Sequence, residues 1–347
     1  MEHGQHTIHE INSQPTVWQS ALDVFTENQA ALADLSGSEA FDEIIVTGCG
    51  STYYLSLTMA RLIQKFTSFP AQAYPASEIV LYPDVMLKPD KKILLIAVSR
   101  SGTTSETVKA ASVFKEKTGG KMITVTCNGE TPLAAVVDVV FAITDAQENS
   151  VAQTRSFSSM TVVLQQIAAF LGGHTITDSA SLPELCQSLF DAHSQQAQSL
   201  GEDPDIQKFF FLGSDTLYGI ASEAMLKMKE MSLSYSEVFH TLEFRHGPMS
   251  MVDEQSLVIG LVTPSSAKHE VLVLKEMAAK GATILAIGKN LDEFEHMISI
   301  PDDMPEWCIP VLYLPILQRI AYHRSLFNGQ NPDNPHNLTA VISLDTI

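Results

Sequence analysis

The chain has 347 residues, 45% of them hydrophobic, which suits a soluble protein with one large core or two medium ones. Asp and Glu number 40 against 21 Lys and Arg, a net charge of −19, so the surface repels nucleic acid and anionic membranes at long range. It repels anionic metabolites as well, so any anion site must rest on local donors such as helix N-termini and hydroxyls.

The first residues, MEHGQHTIHEIN, are polar and lack a signal-peptide core. His3, His6 and His9 are spaced three apart but have no evident scaffold, so they read as a frayed polar terminus rather than a metal site. Cys49, Cys127, Cys186 and Cys308 form no CxxC motif and no disulfide framework, which points to a reducing cytoplasm. A helix is predicted in PTVWQSALDVFTENQAALADL, within a helical segment at 1–35. Strand-like DEIIVTG is followed by YYLSLTMARLIQKF, whose apolar residues have helical spacing. KKILLIAV reads as a strand buried on both faces, SETVKAASVFKEKTG as an amphipathic helix ending near Gly119, and KMITVTC and VVDVVFAIT as further strands. Continuous Val/Ile/Leu runs alternating with helices predict an α/β fold whose parallel sheet is covered on both faces.

The layout then returns. QKFFFLGSDTLYGIASEAMLKMKEMS echoes DEIIVTGCGSTYYLSLTMARLIQKF, placing Gly48 on Gly213 and Tyr53 on Tyr218, a shift of 165. SLVIGLVTPSSAKHEVLVLKEMAAKGATILAIG echoes the stretch from KKILLIAV to KMITVTC, placing Ser101 on Ser265 and Glu106 on Glu270, a shift of 164. Two blocks at nearly one offset predict a duplicated α/β unit, at 36–172 and 205–330, with a linker helix in 173–204 and a tail at 331–347. The most apolar stretch, IPVLYLPILQRIAYH, carries prolines and is too short to span a bilayer.

Ligands of parallel sheets collect beyond the carboxyl ends of strands. The turn Ser101-Gly102-Thr103-Thr104 follows ILLIAV and opens a helix, where backbone N–H groups and hydroxyls suit a phosphate. Ser51 and Thr52 follow the neighbouring strand and could close the cradle. One such turn alone would be an N-cap, whereas two at adjacent strand ends favour an anion site. The Gly48–Gly50 pair is weak evidence for a dinucleotide, since Tyr53 stands where the third glycine would be, and no P-loop occurs. The second copy differs: Asp215 would oppose an anion and Pro264 removes a backbone donor. The first copy is therefore the expected anion holder.

The pieces GCGST, SRSGTTSET, ENSVAQTRSF, SEAMLKMKE, EFRHGPMSMVDE and NPDNPHNL resemble the sugar isomerase (SIS) superfamily with two tandem domains. In layout the chain is most similar to the isomerase half of glucosamine-6-phosphate synthase, and it also resembles free-standing amino-sugar-phosphate deaminases and ketose/aldose isomerases. The resemblance implies two tandem α-β-α SIS domains, a hexose or hexosamine 6-phosphate substrate, a homodimer, and no metal or cofactor. It places the phosphate cradle at Ser51, Thr52, Ser99, Arg100, Ser101 and Thr104, and the sugar-lining segment at Val151, Ala152, Gln153 and Thr154, with Glu148 just before it. Arg100 stands where the synthase has a neutral amide, adding charge to the cradle or pointing to solvent, and Arg155 stands where it has lysine. Glu223, Lys227 and Glu230 lie at i, i+4 and i+7, which by spacing alone is a solvated salt-bridge face. The resemblance makes them the catalytic helix, with Glu230 as the base between C1 and C2 and His246, from the partner subunit, as the ring-opening group. Lys227 would balance the charge of the two glutamates.

One departure stands out. Ala340 occupies the place of the synthase's Schiff-base lysine, and no lysine follows Lys289. With no glutaminase domain and no Cys at position 2 expected to act as its nucleophile, synthase-type transfer is disfavoured. The expected activity is aldose–ketose isomerisation, with or without loss of a 2-amino group. A non-catalytic sugar-phosphate sensor, or an isomerase of a sulfonated or otherwise modified sugar, remains an alternative.

Overall fold

A computed structural model describes residues 3–38, 41–336 and 338. The chain divides into two compact units. The first comprises Gln14–Glu148 and Arg155–Ala180, and the second comprises the described part of Met1–Ser13 together with Asn149–Thr154 and Ser181–Leu338. In chain order, α1 (Gln5–Asn12) belongs to the second unit and α2 (Gln14–Ser38) to the first.

The first unit continues with β1 (Glu43–Gly48), α3 (Ser51–Phe66), β2 (Ala71–Pro75), the short α4 (Ala76–Leu81) and α5 (Pro83–Met86), and β3 (Ile93–Ser99). It ends with α6 (Ser105–Thr118), β4 (Lys121–Thr126), β5 (Val139–Ala142) and α7 (Arg155–Leu171). Its sheet has the order β2-β1-β3-β4-β5, and every pairing is parallel. All seven residues of β3 are buried, because an inner parallel strand is covered on both faces. Ile45, Leu95, Ala110, Phe114 and Met122 form part of one apolar layer. On α2 and α7, Trp18 Nε1 donates to Ser158 Oγ at 2.9 Å, satisfying a fully buried indole. Gly119, in the left-handed region at φ 63°, ends α6 at the residue where the sequence predicts the stop.

The second unit holds α8 (Leu182–Gly201), β6 (Lys208–Gly213), α9 (Tyr218–Ser232), β7 (Tyr235–Phe239), β8 (Ser256–Leu261), α10 (Ala267–Ala278), β9 (Thr283–Gly288), β10 (His296–Ser299) and α11 (Leu314–Phe327). Its parallel sheet runs β10-β9-β8-β6-β7, the same topology as the first when strands are counted from β6. Phe210, Val258, Leu274 and Met277 belong to its core.

The N-terminus departs from the expected frayed segment. His6 and His9 lie on α1, both exposed, while Thr7, Glu10 and Ile11 of the same helix are buried. Eight residues are too few to hold a helix alone. Tertiary bonds secure it: the Thr7 N–H and hydroxyl both donate to Asp333 Oδ1 at 2.8 Å. Among the described residues no three His, Cys, Asp or Glu side chains are grouped to hold a metal ion, and no helix is long and apolar enough to cross a membrane.

Candidate active site

In the first unit, β1 is the strand from which the chain turns to opposite sides, towards β2 and then β3. The crevice beyond the carboxyl ends of β1 and β3 is thus the topological switch point, the usual ligand position of such sheets. Gly48 ends β1, and a Cβ there would come within 2.7 Å of the Thr52 backbone, so only glycine lets α3 start this close to the strand. The Thr52 hydroxyl closes the turn, accepting the Cys49 N–H at 2.9 Å and donating to Cys49 O at 2.9 Å. Ser51, also buried, opens α3.

The loop after β3 is built by its own hydroxyls. Ser99 is 1% exposed, accepts the Gly102 N–H at 3.1 Å and shares a hydrogen bond of 3.1 Å with Thr104 Oγ1. Ser101 Oγ accepts the Thr103 N–H at 3.2 Å. Thr104 is the N-cap residue of α6, and its carbonyl accepts the Val108 N–H at 3.0 Å. Gly102 sits at φ 65°, and a Cβ there would press on the Thr131 side chain. The two loops meet: Cys49 Sγ lies 3.6 Å from Thr107 Oγ1, in the first turn of α6. Burial raises the Cys49 thiol above its usual pKa, so it stays protonated rather than adding negative charge beside the cradle. Ser51, Thr52, Ser99, Ser101 and Thr104 therefore gather around the positive ends of α3 and α6.

Arg100 neither extends freely into solvent nor carries an unbalanced charge. Its Nη1 lies 3.5 Å from Glu148 Oε2, with side-chain exposures of 17% and 0%. Glu148 also accepts the Ser156 N–H at 3.2 Å and the Ser156 hydroxyl, which places its carboxylate at the N-terminus of α7. Burial pushes the neighbouring Cys127 thiol far up, with the Glu148 charge adding to the effect.

The equivalent turn of the second unit is already filled. After β8, the Thr263 N–H donates to Glu270 Oε2 at 2.7 Å, and its hydroxyl donates to the same oxygen at 3.1 Å. Glu270 is fully buried. The protein's own carboxylate thus occupies the donors that would meet an external anion. After β6, Asp215 adopts φ 51°, unusual for a residue with a Cβ.

On α9 the structure departs from a solvated charge face. Glu223 and Lys227 have side-chain exposures of 0% and 1%, and Glu230 is 20% exposed. Lys227 Nζ lies 3.2 Å from Glu223 Oε1 and also bonds Glu230 Oε2. Burial alone would lower the lysine pKa, but the charges of Glu223 and Glu230 and their hydrogen bonds outweigh it and hold it above its usual value. A charged lysine is therefore locked between two glutamates, of which only Glu230 reaches partly into the open. His246 follows the short 3-10 turn Glu243–Arg245; its N–H donates to Glu243 O at 3.0 Å and its side chain is exposed. The stacked rings of Tyr218 and His240, 3.8 Å apart, escape sequence reasoning because 22 positions separate them.

Val151 and Ala152 belong to the second unit, half-buried and buried respectively. The Val151 N–H donates to Asp333 O at 3.3 Å, and Gln318 Nε2 donates to Thr154 O at 3.1 Å. Ala340, the position of the expected missing lysine, lies outside the described residues.

The SIS domain family matches residues 40–170 and 205–294. The glutamine–fructose-6-phosphate aminotransferase (isomerizing) of Pyrococcus horikoshii is 28% identical over 353 residues, covering 97% of this chain and 57% of the relative. The chain thus spans little more than half the length of that curated relative. A glucosamine-6-phosphate deaminase from Thermotoga maritima, of known structure, superposes with a TM-score of 0.80 at 26% identity, covering 98% of this chain and all of the other. The tagatose-6-phosphate ketose/aldose isomerase of Escherichia coli has the same fold, with a TM-score of 0.87 at 24% identity and 96% coverage of each chain.

Proposed function

The chain belongs to the SIS domain family, and on that premise we propose that it is a phosphosugar isomerase acting on a hexose or hexosamine 6-phosphate. The observation that carries the reading is the buried Glu223–Lys227–Glu230 array on α9, which leaves one carboxylate partly open beside a fixed positive charge. The anion cradle is a feature of the first unit taken by itself, and the Glu223–Lys227–Glu230 array a feature of the second. Ser51, Thr52, Ser99, Ser101 and Thr104, with the N-termini of α3 and α6, hold the phosphate in spite of the chain's net charge.

His246 of one subunit opens the sugar ring for a homodimeric partner, and its exposure on a loop supports that role. Glu230 removes the proton from C2 of the open aldose and returns it to C1, while charge builds on the enediol oxygen. Lys227 keeps Glu230 oriented and offsets the charge of Glu223. With a 2-amino aldose, the same transfer leaves an imine at C2. Water adds to that carbon and ammonia departs, giving the ketose phosphate. The similarity to a glucosamine-6-phosphate deaminase supports this deaminating version. An isomerase of a sulfonated or otherwise modified sugar is less well supported, since the Arg100 charge that would favour a different anion is met by Glu148.

Glu230→Gln tests the assignment. It should lower kcat by about 10²–10⁴-fold while binding of the sugar phosphate stays within a few-fold of wild type. Near-normal turnover in this variant would remove Glu230 as the base.

A further inference from the structure

Glu10 lies on α1 and is 1% exposed. Its carboxylate accepts the Asn149 N–H at 2.6 Å, the Ser150 N–H at 3.3 Å and the Ser150 hydroxyl. That hydroxyl also lies 3.1 Å from the Ala152 carbonyl. A second anchor comes from residue 333: Asp333 O accepts the Val151 N–H at 3.3 Å, while its side chain accepts Thr7 N–H and hydroxyl from α1. Gln318 Nε2 holds the far end of the segment at the Thr154 carbonyl. Every residue in this set belongs to the second unit.

Burying a carboxylate is costly unless it is well hydrogen-bonded, and here two successive backbone N–H groups and the hydroxyl of the second residue, Ser150, converge on it. Such a clamp fixes the backbone direction entering Val151 and Ala152. We infer that Glu10 is a positioning residue, setting the Asn149–Thr154 backbone against which the sugar portion of the substrate rests. This assignment rests on the phosphosugar reading above. It gives α1 a part in substrate recognition without contact with the substrate.

The test compares Glu10→Ala, Glu10→Gln and Ser150→Ala in the full chain, with glucosamine 6-phosphate and tagatose 6-phosphate as substrates and inorganic phosphate as a competitive probe. Glu10→Ala should lower kcat/KM about tenfold or more, the effect of about 1.4 kcal/mol, and leave phosphate inhibition within about twofold of wild type. Glu10→Gln keeps an acceptor for the Asn149 N–H and should recover most of the loss. If kcat/KM is unchanged in Glu10→Ala, or if it falls in parallel with phosphate binding, the positioning role is overturned. Should Glu10→Ala fail to fold, Ser150→Ala must show the same selective loss at smaller size, and no loss there overturns the assignment. A wild type that neither binds nor converts either sugar phosphate overturns the functional reading itself, and the variants are not needed to see it.

Discussion

Replacing Lys227 by Met removes a charge from a place that water does not reach. Lys227 is 1% exposed, its partner Glu223 is 0% exposed, and the two charged groups lie 3.2 Å apart. Methionine fills most of the lysine stem, so the packing of α9 as a whole against α11 and β7 is largely kept. What changes is electrostatic: Glu223 stays buried without its counter-charge. Breaking one side of such a pair costs about 3–5 kcal/mol. For a unit of this size that corresponds to a fall in Tm of about 6–20 °C.

The loss should depend on pH in a defined direction. In the wild type, the Lys227 pKa is held above its ordinary value, so its contribution is fully present below the unfolded lysine value of about 10.4. It is lost only as pH rises through the folded value, so it does not vary between pH 6 and 9. In Lys227→Met, burial favours the neutral form of Glu223, whereas in the unfolded chain that carboxyl is ionised at any pH well above its ordinary value of about 4.3. The deficit against wild type should therefore shrink as pH falls from 8 to 5. Circular-dichroism melts at both pH values read this directly. Adding Glu223→Leu removes the stranded carboxylate and should restore more than half of the loss. A single variant within about 1 kcal/mol of wild type, or a deficit independent of pH, would refute the reasoning.

Two further substitutions probe the cradle. Gly48→Ala forces a Cβ to within 2.7 Å of the Thr52 backbone and should prevent soluble expression or lower Tm by more than 5 °C, at about 2–4 °C per kcal/mol; a normal melt would show that α3 can shift away. Ser99→Ala strands the buried Gly102 N–H, costing about 1–3 kcal/mol, and should weaken inhibition by inorganic phosphate in the same variant. Unaltered phosphate inhibition with reduced stability would confine Ser99 to shaping the turn.

The strand–turn–helix units were legible where period and punctuation coincided, as in the run from Ile93 into Ser101 and the stop at Gly119. Other elements gave no such signal, β2 and α7 among them. Strand β2, AQAYP, is at a sheet edge with one buried residue, so it shows no continuous apolar run. Helix α7 is buried continuously from Ser156 to Ala169, its Ser, Thr and Gln residues included, so its composition does not mark it as a core helix.

At the site, residue identities were visible but their environments were not. The spacing of Glu223, Lys227 and Glu230 puts them on one helical face, yet only the elements packed on α9 decide whether that face is wet or dry. The partner of Arg100 lies 48 positions away, beyond any local pattern. Glu10 was hidden in a terminus that is too short and polar to announce a helix, and its meaning comes from Asn149 and Ser150, to which the fold alone joins it.

Proton transfer between C1 and C2 of a sugar 6-phosphate is the step on which the proposed activity depends. The direct measurement is to incubate the purified protein with a panel of aldose and 2-amino-aldose 6-phosphates and to quantify ketose phosphate and ammonia together. Ketose phosphate should form from at least one member, with an equal amount of ammonia whenever that member carries a 2-amino group. Binding of these compounds with neither product formed would contradict it and leave a sugar-phosphate sensor in its place.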